Sequence, residues 1–177
     1  MHHGKFGKLL NKKFWKGKNV LVTGHTGFKG TWISQLLVEL GANVSGLSLP
    51  EVPSKPCLYD LLGLDKTLFD LRGDITSIKT CNNAVNNSNP DILIHMAAQP
   101  LVRLSYQQPI LTYNTNIMGT VNILEAVRNL DSVKAILVVT SDKCYDNNDS
   151  GESFDETSML GGDDPYSSSK ACAEHIS

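Results

Sequence analysis

The sequence has little net charge and no long apolar segment. Its 16 Lys and Arg residues against 18 Asp and Glu residues give a formal charge of −2. This balance argues against a nucleic-acid-binding protein, which normally carries a basic face. No apolar run is long enough to span a bilayer, and the short apolar stretches near the start are broken by lysines, so we predict neither a membrane span nor a signal peptide.

Cysteines are also few and widely separated. Cys57, Cys81, Cys144 and Cys172 are scattered and form no Cys-x-x-Cys pair. A zinc site or a disulfide framework is therefore not expected, and the sequence favours free thiols in a reducing cytoplasm. We predict no metal.

What the sequence does contain is enough apolar material for one packed core. Hydrophobic residues make up 41% of the 177 positions, a length typical of one domain. Residues 1–18 hold six lysines and no acid, so this basic N-terminal extension either touches a membrane surface or, as we favour, packs beside the first strand. Residues 19–177 form the predicted folded domain that follows this extension.

Apolar runs alternate with segments of helical periodicity from residue 19 onward. The predicted strands are residues 19–23, 44–49, 67–71, 91–95 and 134–140. The predicted helices follow the first strand and cover residues 58–64, 75–87, 109–129 and a last segment from Pro165, with an irregular connection over Pro50, Pro53 and Pro56. This alternation predicts an α/β fold, a Rossmann-like, doubly wound parallel sheet covered by helices on both faces.

A glycine-rich turn joins the first strand to the first long helix. The spacing is Gly-x-x-Gly-x-x-Gly over residues 24–30, in the strand–turn–helix context that a phosphate-binding loop requires. The alternative is that the glycines serve only the turn. The loop residues that we assign to a dinucleotide are Gly24, Thr26, Gly27, Phe28, Lys29 and Gly30.

The end of the second predicted strand distinguishes NAD from NADP. An acid there would hold the ribose hydroxyls, and an arginine would hold a 2′-phosphate. No arginine precedes Arg72, and the usual acid is missing unless Glu51 takes its place, so we predict NAD with Ser48 as a hydrogen-bond partner of the ribose. Asp74 and Ile75 are placed to meet the adenine, although Asp74 alternatively caps the following helix.

Two polar clusters follow the fifth predicted strand in the sequence. Tyr166 and Lys170 are four residues apart, on one face of the last predicted helix, where a lysine cation can make a phenol a usable base. Ser141, Asp142 and Lys143 follow the fifth strand, at the sheet edge where such folds bind ligands. Ser141 can reach the same substrate oxygen as Tyr166, whereas Asp142 and Lys143, being adjacent, should diverge in an extended segment. The alternative is an N-cap or a surface pair.

These motifs together resemble the extended short-chain dehydrogenase/reductase family, and within it the nucleotide-sugar epimerases and dehydratases. The resemblance rests on residues 14–18, 24–30, 95–100, 116–120, 141–145 and 166–170. The Ser-Asp-Lys-Cys-Tyr segment is the most discriminating, because other sugar-nucleotide 4,6-dehydratases carry Asp-Glu at its centre and the epimerases lack the acid pair.

The resemblance implies NAD-dependent dehydration of a nucleotide-sugar, most similar to the conversion of CDP-glucose to CDP-4-keto-6-deoxyglucose and water in deoxysugar and O-antigen type polysaccharide synthesis. Tyr166 would deprotonate the 4-hydroxyl as C4 gives its hydride to NAD. Asp142 would protonate the departing 6-hydroxyl, and Lys143 would stand where related enzymes use a glutamate base. NADH would then return the hydride to C6.

The resemblance also implies roles for further residues and a longer chain in the family members. Ala97, Ala98 and Gln99 would line the coenzyme, and Asn116 would lie under the active site, whereas His95 is expected to be a core residue at a strand end. Family members continue beyond this length with a C-terminal substrate domain, so we expect an incomplete NAD-binding domain over residues 19–177 that is inactive alone.

Three alternatives stay open at this point: a different nucleotide-sugar 4,6-dehydratase, a 4-epimerase, and a noncatalytic NAD-binding module. The expected partners are a nucleotide-sugar and, at full length, a second copy of the chain that pairs through the helices around residues 112–130 and from Pro165. Neither nucleic acid nor a membrane is expected as a partner.

Overall fold

The computed structural model describes residues 11–147, 151 and 153–177, and five parallel strands form its sheet. The strands are β1 (Asn19–Thr23), β2 (Asn43–Ser48), β3 (Phe69–Arg72), β4 (Ile92–His95) and β5 (Ala135–Val138). Their order is β3-β2-β1-β4-β5, and Val20 of β1 pairs with Val44 on one side and Ile92 on the other. The prediction of a Rossmann-like parallel sheet is confirmed.

Helices connect the strands. They are α1 (Lys12–Trp15), α2 (Phe28–Glu39), α3 (Leu58–Leu62), α4 (Ile78–Ser88), α5 (Val102–Gln107), α6 (Pro109–Tyr113), α7 (Gly119–Val127) and α8 (Pro165–Ile176), with short 3₁₀ turns at Leu64–Lys66 and Asp142–Cys144. In the described part of the chain no helix has the length and apolar character needed to cross a bilayer.

Both faces of the sheet are covered because the central strand is apolar on both sides. Val20 and Val22 of β1 belong to one buried cluster, which also contains Leu37 of α2. Leu21, between them in sequence, belongs to a second cluster with Ile123 of α7. Since successive side chains of a strand point to opposite faces, β1 is the common wall of two apolar layers.

The helix predicted over residues 75–87 begins three residues later, at Ile78. Asp74 Oδ1 accepts from the Thr76 amide at 2.8 Å and so closes a turn of its own. Ser77 is the N-cap, because its hydroxyl accepts from the Thr80 amide at 3.3 Å. The alternative of Asp74 as the helix cap is therefore wrong.

The single helix predicted over residues 109–129 is interrupted. α6 runs into a π-helical turn, Asn114–Met118, before α7 begins. Such a turn inserts one residue into the helical ladder and is frequent at functional sites. Here it carries Asn116, whose side chain points away from α7 toward the loop after β4.

The third strand begins at Phe69 rather than at residue 67, because the 3₁₀ turn Leu64–Lys66 extends the preceding connection and the Thr67 hydroxyl donates to the Leu64 carbonyl. α8 begins at Pro165 as predicted. Asp164 caps it by accepting from the amides of Tyr166 and Ser167, both at 2.9 Å.

Candidate active site

Two cavities lie at the carboxyl ends of the strands, on either side of the start of α8. The first has a volume of about 490 Å³ and the second about 300 Å³. The first is lined by Gly24, Thr26, Gly27, Phe28, Lys29, Gly30, Ser48, Leu49, Glu51, Pro53, Gly73, Asp74, Ile75, Met96, Ala97, Ala98, Pro100, Leu111, Thr115, Val139, Thr140, Tyr166 and Lys170. Every glycine-loop residue assigned to the coenzyme is therefore at its wall.

The glycine loop packs its backbone tightly against its neighbours. Gly24 has φ +76°, and a Cβ there would lie 2.8 Å from the Ala97 amide nitrogen, so neither conformation nor space admits a side chain. Gly27 is the N-cap of α2 and makes no side-chain cap hydrogen bond. The first amides of α2 are consequently available to an anion at the cavity wall.

His25, in the same loop, is fully buried and points away from the cavity into a polar network. Its Nε2 donates to Asp70 Oδ1 at 3.0 Å, which leaves Nδ1 to accept from the Ser48 hydroxyl at 2.9 Å. Burial lowers the pKa of His25, against the opposing effect of Asp70, so the neutral ring fits this pattern.

Ser48 lines the first cavity, and its hydroxyl also belongs to the His25 network. Its proton goes to His25 Nδ1, and its oxygen accepts from the Thr26 amide at 3.3 Å, so Ser48 holds the glycine loop against β2. Because a hydroxyl oxygen has two lone pairs, Ser48 can still accept a hydrogen bond from a ribose hydroxyl, and its role toward the ribose stays a prediction.

A second buried histidine fixes the loop after β4. Thr23 Oγ1 accepts from the amides of Met96 and Ala97, both at 3.1 Å, and donates to His95 Nδ1 at 2.6 Å. His95 Nε2 then donates to Thr120 Oγ1 at 3.0 Å. Burial and the charge of Lys170 lower the pKa of His95 to about 4. His95 is a core residue, as expected.

Gln99 does not line the first cavity, although the resemblance implied that it would line the coenzyme, and Asn116, which was expected under the active site, does not line the cavity either. Gln99 turns its amide inward, where Nε2 donates to Thr112 Oγ1 at 2.9 Å. Asn116 Oδ1 accepts from the Gln99 amide at 2.8 Å, and Asn116 Nδ2 donates to Ser169 Oγ at 2.8 Å. Both are buried, so their polar groups bond each other and α8. They position the site from below.

Tyr166 and Lys170 lie one turn apart on α8 and both line the first cavity. Lys170 is buried, and its Nζ donates to the Val139 carbonyl at 3.4 Å. Burial, followed by the charge of Lys29, lowers the pKa of Lys170. The structure therefore places a phenol and a partly desolvated ammonium group at the same wall as the glycine loop.

Asp142 and Lys143 line the second cavity together with Asp164 and Ser167. They lie in a 3₁₀ turn, not in an extended segment, because the Ser141 hydroxyl caps the turn by accepting from the Lys143 amide at 3.0 Å. The predicted divergence of the two side chains is therefore wrong: Lys143 Nζ lies 3.9 Å from Asp142 Oδ2.

Ser141 is both an N-cap and a candidate site residue. In the chain it stands between Thr140, which lines the first cavity, and Asp142, which lines the second. The sequence did not single out Thr140, although its position at the end of the predicted fifth strand was a usable signal. The Thr140 hydroxyl donates to the Glu174 carboxylate, which ties the end of β5 to α8.

Comparison with known proteins yields the following similarities. A family model described as GDP-mannose 4,6 dehydratase matches residues 21–177. The CDP-glucose 4,6-dehydratase of Salmonella typhimurium is 49% identical over 168 residues, which cover 95% of this chain and 46% of the relative. The dTDP-D-glucose 4,6-dehydratase of Dictyostelium discoideum is 32% identical, with coverage of 90% and 39%.

Among solved structures, the UDP-glucose 4-epimerase of Thermus thermophilus in complex with NAD superposes with a TM-score of 0.77 and 30% identity. That match covers 89% of this chain and 49% of the epimerase chain. The chain thus spans less than half the length of the two curated relatives and about half of the solved structure.

Proposed function

The chain belongs to the GDP-mannose 4,6-dehydratase family, and on that premise we propose that it carries the coenzyme-binding and acid–base residues of a nucleotide-sugar 4,6-dehydratase that acts on CDP-glucose. The observation that carries the proposal is the meeting of Tyr166 and Lys170 with the glycine loop at one cavity. The choice of CDP-glucose is supported by the 49% identity to the Salmonella typhimurium enzyme of that name.

The first cavity fits NAD. The bare backbone of Gly24 and Gly27 and the free amides of α2 suit a pyrophosphate, and Asp74 and Ile75 line the end of the cavity next to β3. Lys29 adds a positive charge for the phosphates. When bound, NAD accepts a hydride from the substrate and later returns it.

Tyr166 takes the proton of the sugar 4-hydroxyl in this scheme. A phenol is a weak base at neutral pH, and the nearby Lys170 ammonium stabilises the phenolate form that the reaction needs. Burial of Lys170 strengthens this interaction because the surrounding dielectric is lower than that of water. Ser141 donates a hydrogen bond to the same sugar oxygen.

Asp142 and Lys143 act on the other end of the sugar. Asp142 protonates the departing 6-hydroxyl, and Lys143 removes the C5 proton that the 4-keto group has made acidic. A lysine is a base only when neutral, and the Lys143 side chain is 54% exposed in this structure. Its role therefore requires that bound substrate exclude water from the second cavity.

The test uses the protein at its natural full length with NAD and CDP-glucose. We expect a 4-keto-6-deoxy product, and we expect Tyr166→Phe to lower turnover by about 10³-fold or more while NAD still binds. Tyr106→Phe is the matched control, because Tyr106 is 64% exposed on α5 and lines neither cavity. Intact dehydration in Tyr166→Phe would show the mechanism to be wrong.

The same product analysis separates the alternatives. A sugar inverted at C4 would identify a 4-epimerase, a function supported by the similarity to the Thermus thermophilus structure. Binding of NAD without turnover of any nucleotide-sugar would identify a noncatalytic module. The presence of all three candidate residues, Tyr166, Lys170 and Ser141, favours an active enzyme over a noncatalytic module.

We also propose a homo-oligomer that forms through the α6–α7 segment. Ile110 and Met118 are 76% and 47% exposed there, so the segment presents apolar surface. Sedimentation of the natural full-length protein measures the oligomeric state.

We propose a cytoplasmic location for the protein. All four cysteines are free, which suits a reducing cytoplasm.

A further inference from the structure

Arg72 places a cation beside the end of the first cavity that should receive the adenosine of a dinucleotide. It pairs in register with Ser48 at the end of β2, and its Nη1 donates to the Leu49 carbonyl at 3.1 Å. Ser48 and Leu49 both line the cavity. This is the strand tip at which an arginine recognises the 2′-phosphate of NADP in related folds.

The guanidinium is occupied by Asp70. Nε and Nη2 of Arg72 donate to Asp70 Oδ2 at 3.0 and 2.8 Å, and the guanidinium carbon lies 5.1 Å from the centre of the Tyr59 ring. Tyr59 donates to the same Oδ2 at 2.8 Å, while His25 donates to Oδ1. The arginine is thus held by two hydrogen bonds to Asp70, by a third to the Leu49 carbonyl, and by one aromatic face.

The charges of this cluster cancel. Burial alone would raise the pKa of Asp70, but the hydrogen bonds from Arg72 and Tyr59 outweigh it and lower that pKa, so Asp70 is ionised. Its charge balances that of Arg72, and His25 is neutral. Glu51 and Asp74 add negative charge at the same end of the cavity. An additional phosphate on the ribose would therefore meet no uncompensated cation.

We infer that Asp70 determines the preference for NAD over NADP by holding Arg72 out of reach of a 2′-phosphate. This inference rests on the proposed binding of NAD in the first cavity. Asp70 takes the place of the acid that usually stands at the end of the second strand. Here β2 ends in Ser48, and the discriminating carboxylate lies on the neighbouring strand β3.

Asp70→Asn tests this assignment with little change in shape. With His25 in the tautomer described above, Nε2 is a donor, so the asparagine oxygen faces Nε2 and the amide nitrogen faces Arg72. Donor would meet donor, so the guanidinium is released while Tyr59 can accept from the new amide. A freed guanidinium can form charge-assisted hydrogen bonds to a phosphate.

The experiment measures dissociation constants of NAD and NADP for the coenzyme-free protein at its natural full length, by titration calorimetry without substrate. We expect the wild type to bind NAD more tightly. In Asp70→Asn the dissociation constant for NADP should fall about tenfold or more, and that for NAD should change less than about threefold. Asp60→Asn, which removes an exposed charge from neighbouring α3, should behave as wild type.

The double change Asp70→Asn with Arg72→Leu should lose the gain in NADP binding. Thermal unfolding without coenzyme verifies that each variant is folded, and Asp70→Ser, which also releases Arg72, is measured beside Asp70→Asn in case the asparagine variant does not fold. An unchanged NADP constant in a folded variant, with NAD binding intact, would overturn this inference alone. A wild type that binds neither coenzyme would overturn the proposed function as well.

Discussion

Two glycines of the same loop should respond very differently to an added methyl group. At Gly30 an ideal Cβ would overlap the Gly24 carbonyl oxygen and lie 2.7 Å from the Gly24 carbonyl carbon and 2.9 Å from His25 Cα. At Gly27 the Cβ would meet only the Gly24 oxygen, at 3.3 Å, and the backbone φ of −72° suits alanine. The third glycine is therefore required by packing of α2 against the loop.

The expected changes in the free energy of unfolding follow from these distances. Cβ contacts under 3.0 Å are essentially never seen, and the atoms in the way at Gly30 are backbone, so the loop must move. Overpacking of this kind costs about 3 kcal/mol, partly offset by a gain of about 1 kcal/mol from replacing glycine by alanine inside a helix. We expect Gly30→Ala to lower the free energy of unfolding by about 2 kcal/mol, and Gly27→Ala to change it by less than about 0.5 kcal/mol.

The measurement is urea unfolding of both variants and wild type without coenzyme, followed by titration with NAD. Gly27→Ala should keep its stability and bind NAD more weakly, because its methyl group projects at the cavity wall. Gly30→Ala, in contrast, should be less stable than the wild type in urea even without NAD. Equal stability of Gly30→Ala and wild type would refute the packing argument, and unchanged NAD binding by Gly27→Ala would refute the placement of the pyrophosphate.

Three further outcomes are expected. The pKa of His95 is about 4 in the fold and about 6.5 in the unfolded chain, so the free energy of unfolding that is present above pH 6.5 should fall by up to about 3 kcal/mol as the pH drops toward 4. In urea unfolding at several pH values, His95→Asn should lose less of this free energy over the same range. Equal pH dependence of the variant and the wild type would contradict this. Asn116→Ala breaks three buried hydrogen bonds and should cost about 3 kcal/mol of unfolding free energy. Ser169→Ala breaks one of them and the bond from the Ser169 hydroxyl to the Tyr166 carbonyl, so it should cost about 2 kcal/mol, and a loss larger than that of Asn116→Ala would count against the network. Asp142→Asn in the natural full-length protein should still oxidise C4, so NADH absorbance should build up with CDP-glucose, and an absence of NADH would show that Asp142 does not act at the elimination step.

The fold was predictable because its signals are local and agree with one another. The apolar run of β1, the glycine turn and the periodic α2 follow each other directly, and each is explained by burial on both faces of a parallel sheet. Asp164 and Pro165 likewise mark the start of α8 by the chemistry of a helix N-terminus. Two errors fell at element ends, where the Asp74 turn and the 3₁₀ turn Leu64–Lys66 compete with the regular element, and a third was the π-helical turn inside the helix predicted over residues 109–129.

The candidate site was predictable in its members more than in their roles. Position after a strand placed the glycine loop and Asp74 at one cavity, and the family resemblance and the Tyr-x-x-x-Lys spacing added Ala97 and the α8 pair, which line the same cavity. It did not show that the Ser48 proton goes to His25, since that depends on a contact 23 residues away in sequence. The turn that joins Asp142 and Lys143 was equally hidden, because it is set by the Ser141 hydroxyl rather than by helix propensity.

The buried polar residues explain how a site made largely of loops can be held in place. Hydrogen bonds run from the amides after β4 through Thr23, His95 and Thr120 to the Asn116 carbonyl, and the Asn116 side chain continues to Ser169 on α8. The connection thus links the loop at the first cavity to the helix that carries Tyr166 and Lys170. In a fully satisfied network each group orders the next, and misplacing one donor leaves another unpaired at a cost of about 1–3 kcal/mol. The π-helical turn is the backbone feature that lets Asn116 face both partners, so we regard it as part of the active-site framework and not as an irregularity of the helix.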